Sequence, residues 1–142
     1  MNYAGRDYTT PDGALHVEFL YVDGGPSFGW RIYVLNEIDY KGRDTSPLAT
    51  RLVYEDDEDY PYIFWRDPIA TLDEAIMHSS FWADITSRYI KSGGDFDEIA
   101  MELVFEEATK RLSKGAMDGQ TYEYICKILG RGDPSETSMM PE

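Results

Sequence analysis

Apolar and polar residues alternate along two stretches near the start of the chain, at 14–22 and 28–35. A repeat of two places every second side chain on the same face, so each stretch predicts a strand with one buried side. Phe19 and Ile32 belong to the apolar sets of the two stretches. The segment DGGP at 23–26 lies between them and favours a turn, which predicts an antiparallel hairpin.

Two shorter stretches that are rich in β-branched and aromatic residues follow at 50–54 and 60–66, after a polar loop at 36–49. They predict a third and a fourth strand. Pro61 favours an edge position or the start of its strand, because proline cannot donate a ladder hydrogen bond. Residues 1–13 show no sustained pattern and are interrupted by glycine and proline, so we predict a flexible N-terminal arm.

The segment 71–90 carries the clearest helical pattern in the chain. Thr71 can cap free backbone N–H groups, and Glu74 can reach back to the N–H of Thr71, which together make a capping box. Apolar and small residues recur at helical spacing around Trp82, which predicts that Trp82 packs in the core. His78 lies beside this stripe, and we predict it at the surface or at the boundary of the core.

Gly93 ends this helix, and further helices are predicted at 95–112 and 118–129. The last residues, 131–142, contain proline, serine and methionine and are predicted to be disordered. We therefore predict the α+β class, with a four-stranded antiparallel meander followed by two to three helices packed on one face. The length of the chain favours a single domain, at 14–130.

The strongest bulk property is charge, with 27 acidic residues against 13 basic ones and a formal net charge of −14. Such a surface repels phosphate backbones and anionic membranes, so direct binding to nucleic acid or to a membrane is not expected. It favours a basic protein partner, including one that itself binds nucleic acid. The competing explanation is solubility alone, because many soluble bacterial proteins are acidic.

The residues that carry most enzymatic chemistry are sparse. Cys126 is the single cysteine, which excludes an intrachain disulfide and a cysteine-rich zinc site. The glycine-rich phosphate loops and the nucleophile elbow are absent, and the carboxylates at 55–59 lack the central glycine of a calcium loop. We predict no cofactor and no metal, and a protein that is not an enzyme. No membrane-length apolar run and no leader pattern are present, so we expect a cytoplasmic location in a bacterial host.

Carboxylates cluster in two places. The run at 55–59 is predicted to be a solvated turn, because neighbouring like charges repel one another. In the helix at 95–112, acidic residues recur three or four positions apart and so lie on one side, about 5.4 Å apart along the axis. This approaches the spacing of phosphates, so such a face can mimic DNA in a channel lined by Arg and Lys, although a merely solvated face has the same pattern. The predicted partner-binding residues are Glu55, Asp56, Asp57, Glu58, Asp59, Asp95, Glu98, Glu102 and Glu106.

An alternative site is aromatic. Tyrosine, tryptophan and arginine side chains in and around the fourth strand could line a pocket for a planar or phosphorylated small ligand. Strands in small α+β domains are often aromatic for packing reasons, which is the competing interpretation. The residues of this alternative ligand pocket are Tyr54, Tyr62, Trp65 and Arg66.

Several short segments between about 30 and 93 resemble small proteins carried by phages and mobile elements of Gram-positive bacteria. The likeness rests on WRIY at 30–33, DYKGR at 39–43, TLDEA at 71–75 and the helix end YIKSG. These segments match a strand and a capped helix, and they imply no catalytic residue.

Proteins of that kind include anti-defence factors, and a small acidic domain is similar in character to several anti-CRISPR proteins. The resemblance therefore implies a non-enzymatic inhibitor that binds a basic nucleic-acid-handling protein, such as a CRISPR effector, through its acidic surface. The alternative function is a protein that binds and sequesters a small nucleotide signal. The oligomeric state is left open, because the strands can pair within one chain or across a dimer.

Overall fold

The computed structural model describes residues 2–55 and 58–113, and the side chains of this part up to Lys110. The chain divides into two compact units, Met1–Phe96 and Asp97–Glu142. The strands are β1 Tyr3–Thr9, β2 His16–Asp23, β3 Trp30–Val34, β4 Leu52–Val53 and β5 Tyr62–Ile63. The helices are α1 Pro47–Thr50, α2 Leu72–Ser92 and α3 Phe96–Ser113.

The first unit is built on an antiparallel sheet of five strands, in the order β1-β2-β3-β5-β4. The predicted α+β class with an antiparallel sheet is confirmed. The order follows the chain from β1 to β3, and β5 then lies beside β3, with β4 on its outer side. The stretches predicted at 50–54 and 60–66 contribute only two residues each to the sheet.

The prediction of a flexible arm at the start of the chain is wrong, because β1 pairs with β2 along its whole length. Two side chains of β1 also reach α2. The guanidinium of Arg6 donates to Ser80 Oγ at 2.9 Å, and the Tyr8 hydroxyl donates to Asp84 Oδ1 at 2.9 Å. Two of the three inward positions of β1 make polar contacts with a helix far along the chain, so no apolar alternation marks this strand in the sequence.

The core of the first unit lies between the sheet and α2, and Trp82 is at its centre. Trp82 is 1% exposed and meets the ring of Phe19 edge-on, with ring centroids 6.2 Å apart. Its indole Nε1 donates to the carbonyl of Thr50 at 2.9 Å, so the polar atom of the ring is satisfied. The prediction that Trp82 packs in the core is confirmed.

The ends of α2 follow the predicted capping chemistry with one difference. Thr71 Oγ1 accepts a hydrogen bond from the backbone N–H of Glu74 at 3.1 Å. The Glu74 carboxylate accepts from the N–H of Ala70 at 3.4 Å, one residue earlier than a standard capping box. Gly93 ends the helix with a φ of 72°, which glycine adopts without steric cost.

His78 is not at the surface, and that prediction is wrong. His78 is 1% exposed, and the Trp65 ring stacks on it with centroids 4.0 Å apart and an interplanar angle of 28°. The prediction failed because Trp65, in the segment after β5, covers His78 and so buries a position of α2 that lies beside its apolar stripe. The third predicted helix at 118–129 and the predicted tail at 131–142 lie outside the described residues.

Candidate functional site

Three of the four carboxylates predicted on the helix at 95–112 are exposed on α3. Glu98, Glu102 and Glu106 are all exposed and follow one another at intervals of four residues. That interval corresponds to about one helical turn, a rise of roughly 6 Å, so the three lie along one side of the helix. Asp95 precedes α3, belongs to the first unit and is also exposed.

The rest of the described part of α3 adds to this charge. Asp97 and Glu107 are exposed as well, and Lys110 is the single basic residue between 97 and 110. Lys110 Nζ lies 3.7 Å from Glu107 Oε2 one turn before it. An exposed pair of this kind contributes little to stability, so it leaves the strongly acidic character of the helix in place.

The acidic run at 55–59 is only partly a solvated turn. Asp59 is exposed, and Asp56 and Asp57 lie outside the described residues. Glu55 and Glu58 instead turn onto the sheet, where their side chains are 44% and 33% exposed. There they meet Arg31, so two of the predicted partner-binding carboxylates already have an intramolecular cation.

We call this group of five side chains the Arg31 cage. Its members are Arg31, Tyr33, Tyr62, Glu55 and Glu58. Arg31 Nη1 lies 3.5 Å from Glu58 Oε1 and 3.7 Å from Glu55 Oε1. The guanidinium carbon lies 4.0 Å from the centre of the Tyr62 ring, which is a cation–π contact.

The tyrosine hydroxyls hold the two carboxylates in place. Tyr33 donates to Glu58 Oε2 at 2.7 Å, and Tyr62 donates to Glu55 Oε1 at 3.1 Å. Arg31 Nη1 donates to the Tyr33 hydroxyl at 3.5 Å. The rings of Tyr33 and Tyr62 meet edge-on with centroids 6.2 Å apart. Each carboxylate is therefore fixed by a neutral donor as well as by a cation.

Strand register explains why these residues meet. Arg31 and Tyr33 alternate along β3 with Ile32 and Val34, which are buried in the core. They therefore point to the opposite face of the sheet, away from α2. Tyr33 is directly opposite Tyr62 on β5, and residues opposite one another share a face.

The electrostatics of the cage keep its guanidinium charged. Burial lowers the pKa of Arg31, but the Tyr33 hydroxyl and the neighbouring Glu55 outweigh it, and the pKa is raised. Burial, together with a hydrogen bond to a carboxylate, raises the pKa of Tyr33 and of Tyr62. The two tyrosines thus remain neutral donors at physiological pH, and the cage is suited to binding a cation.

Two residues of the alternative pocket lie on opposite faces of the sheet. Tyr62 belongs to the Arg31 cage, whereas Trp65 stacks on His78 on the core side of the sheet. Tyr54 and Arg66 are exposed. Arg31 and Tyr33 were not among the predicted site residues, although their alternation with the buried Ile32 and Val34 indicates that they lie on the open face of the sheet.

A second polar cluster joins β1 and the following turn to α2. The Asp12 carboxylate accepts hydrogen bonds from Lys91 Nζ, from Ser87 Oγ at 3.0 Å and from Thr10 Oγ1 at 2.5 Å. These bonds hold the pKa of Asp12 well below its usual range. Every partner is a neighbouring part of the fold, so the cluster acts as a structural link.

The described residues contain no group of three or more His, Cys, Asp or Glu side chains arranged to hold a metal ion. None of the helices in the described part of the chain is long and apolar enough to cross a membrane. No protein-family model, no curated protein and no solved structure matches this chain.

Proposed function

We propose that this protein is a non-enzymatic inhibitor that binds a basic, nucleic-acid-handling protein through the acidic side of α3. The observation that carries the proposal is the row of exposed carboxylates Glu98, Glu102 and Glu106 on that helix. In a partner that binds nucleic acid, the complementary surface is a groove lined by Arg and Lys. Occupying that groove blocks access of the nucleic acid.

The overall charge supports the same partner. With a net charge of −14, the protein is attracted over a distance to a basic surface, and such steering raises the association rate. Exposed charges are screened by salt, so an interaction of this kind weakens as ionic strength rises. The resemblance to small phage and mobile-element proteins supports an anti-defence function, with a CRISPR effector as one such partner.

The first experiment is affinity capture from the lysate of a bacterial host, at low salt and then at high salt. A basic nucleic-acid-binding protein that is retained at low salt and released at high salt is then purified. Its binding to DNA or RNA is measured by mobility shift with increasing amounts of the acidic protein. The proposal expects displacement of the nucleic acid, and a ternary complex without displacement contradicts it.

A charge-reversal variant tests the surface itself. E98K/E102K/E106K is expected to lose both partner binding and nucleic-acid displacement. The matched control is D7K/E18K/E37K, which reverses the same number of exposed carboxylates on the first unit. Because both variants have the same net charge, loss of binding in both would attribute the interaction to bulk charge and refute the role of α3.

A further inference from the structure

The Arg31 cage has the features of a site for a guanidinium ion. One ring lies beneath the cation, two carboxylates lie at its side, and two tyrosine hydroxyls orient those carboxylates. A guanidinium is planar. It can stack on an aromatic face while its N–H groups, which lie in the plane of the guanidinium, point at carboxylates beside it. A lysine ammonium has neither the planar shape nor the paired N–H donors of a guanidinium, so this arrangement favours arginine over lysine.

The contacts that hold Arg31 are loose. Nη1 makes both ion pairs, at 3.5 and 3.7 Å, whereas charge-assisted hydrogen bonds of this type are about 2.7–2.9 Å long. Glu58 Oε1 is buried and accepts no hydrogen bond from the described residues. Its ion pair with Arg31 Nη1, at 3.5 Å, is longer than a charge-assisted hydrogen bond, so it is the atom that a better-placed guanidinium would contact more closely.

The cage is also accessible. The side chain of Arg31 is 37% exposed, and strand alternation places Arg31 and Tyr33 on the face of the sheet opposite the buried Ile32 and Val34. Arg31 is therefore not sealed in place by the core. The side chains of Glu55 and Glu58 are 44% and 33% exposed, and the buried Oε1 of Glu58 becomes reachable from solvent when Arg31 moves aside.

We propose that the Arg31 cage is a guanidinium-recognition site, which the free protein fills with its own Arg31 and which an arginine of a basic partner enters by exchange. The inference rests on the proposed function and deepens it, because it names arginine as the partner group that is recognised. It also adds a contact surface on the first unit. Glu55 and Glu58 then contribute to partner binding only after Arg31 has moved aside.

The test removes the resident cation and titrates the empty cage with a defined probe. The variant R31A and the wild-type protein are titrated with N-acetyl-arginine amide and, separately, with N-acetyl-lysine amide, and binding is followed by NMR. We expect R31A to bind the arginine probe about tenfold or more tightly than the wild type does, as a charge-assisted contact to an unpaired carboxylate implies. The lysine probe is expected to bind more weakly to R31A than the arginine probe.

The matched control is R6A. Arg6 also lies over a tyrosine ring, 4.9 Å from the centre of Tyr8, but within the described residues it donates to the hydroxyls of Tyr21 and Ser80 rather than to carboxylates. R6A is therefore expected to bind neither probe more tightly than the wild type. In the double variant R31A/E58Q, the gain in binding of the arginine probe should be lost.

A second variant tests the same proposal if R31A does not fold. R31K keeps the positive charge and the aliphatic part of the side chain but lacks the guanidinium. The arginine probe should therefore bind R31K more tightly than it binds the wild-type protein. If neither R31A nor R31K binds the arginine probe more tightly than the wild type and R6A do, the inference is overturned. The same titration on R31A/E98K/E102K/E106K separates the two proposals, because cage binding should survive the loss of the acidic helix face.

Discussion

The hydroxyl of Tyr8 on β1 donates a hydrogen bond of 2.9 Å to the carboxylate of Asp84 on α2. It joins the edge strand to a helix 76 residues further along the chain. Burial and this hydrogen bond raise the pKa of Tyr8 to about 12, and burial raises the pKa of Asp84. The edge strand is therefore held in place by a half-buried polar pair.

Removing the Tyr8 hydroxyl should destabilise the first unit. Tyr8→Phe leaves the Asp84 carboxylate without its donor, and the loss of one hydrogen bond to a charged group costs about 1.5–3 kcal/mol. Urea unfolding monitored by tryptophan fluorescence measures the change. Tyr3→Phe is the control, because Tyr3 lies on the same strand and is 73% exposed. Equal stability of the two variants would contradict a structural role for the pair.

The pH dependence of stability should have two opposite components. The folded-state pKa of Asp84 is raised, so its contribution to stability increases as pH falls towards its ordinary range near 4. The folded-state pKa of Asp12 is depressed, so its contribution is present above that range and is lost as pH falls through the folded value. Urea midpoints measured from pH 7 to well below pH 3 report both components, because the folded-state pKa of Asp12 lies far below its ordinary range.

Two variants separate these components. Asp84→Asn should remove the part of the profile in which stability rises as pH falls from neutral. Asp12→Asn should flatten the decline at more acidic pH, where wild-type Asp12 loses its bonds to Lys91 and its hydroxyl partners. Unchanged profiles in both variants would show that other groups control the acid transition.

Glycine at position 29 should be required by close backbone contact. A Cβ atom on Gly29 would lie 2.6 Å from the backbone N and O of Ile69, and its φ is 70°. Gly29→Ala is expected to destabilise by more than the roughly 1–2 kcal/mol of the backbone conformation alone, because neither atom is a flexible side chain. Gly25→Ala is the control, since Gly25 has a φ of 89° but no atom within 4 Å of its Cβ position.

Trp65 should affect stability rather than ligand binding. Truncation in Trp65→Ala uncovers His78 and removes the stacked ring, which is expected to cost about 2–4 kcal/mol at this half-buried position. Trp65→Phe retains a ring over the imidazole and should recover part of the loss. Thermal unfolding of both variants measures the effect. Wild-type stability in Trp65→Ala would contradict a packing role and would favour a role for Trp65 in ligand binding.

The local elements were predictable because their signals are short-range. The alternation around Phe19 and Ile32 predicted two strands, and both residues are buried as expected. The cap at Thr71 and the stop at Gly93 bounded α2, since helix ends are satisfied by residues within a few positions. The placement of Trp82 in the core followed from its position in a helical stripe.

The failures occurred where a residue's environment comes from a distant part of the chain. The burial of His78 depends on Trp65, and the order in β1 depends on contacts to α2. The acidic run at 55–59 was predicted to be a solvated turn, yet Glu55 and Glu58 turn towards Arg31. No local pattern records such contacts.

The sequence by itself therefore determined the α+β class, the capped helix α2, the buried face of the β2–β3 hairpin and the strongly acidic character of the protein. These depend on periodicity, capping and composition, which are local or additive properties. Only the tertiary structure decided that Glu55 and Glu58 meet Arg31 over the ring of Tyr62. Strand pairing sets that meeting, because the register of β3 with β5 places Tyr33 opposite Tyr62 and so aligns side chains that lie far apart in the chain.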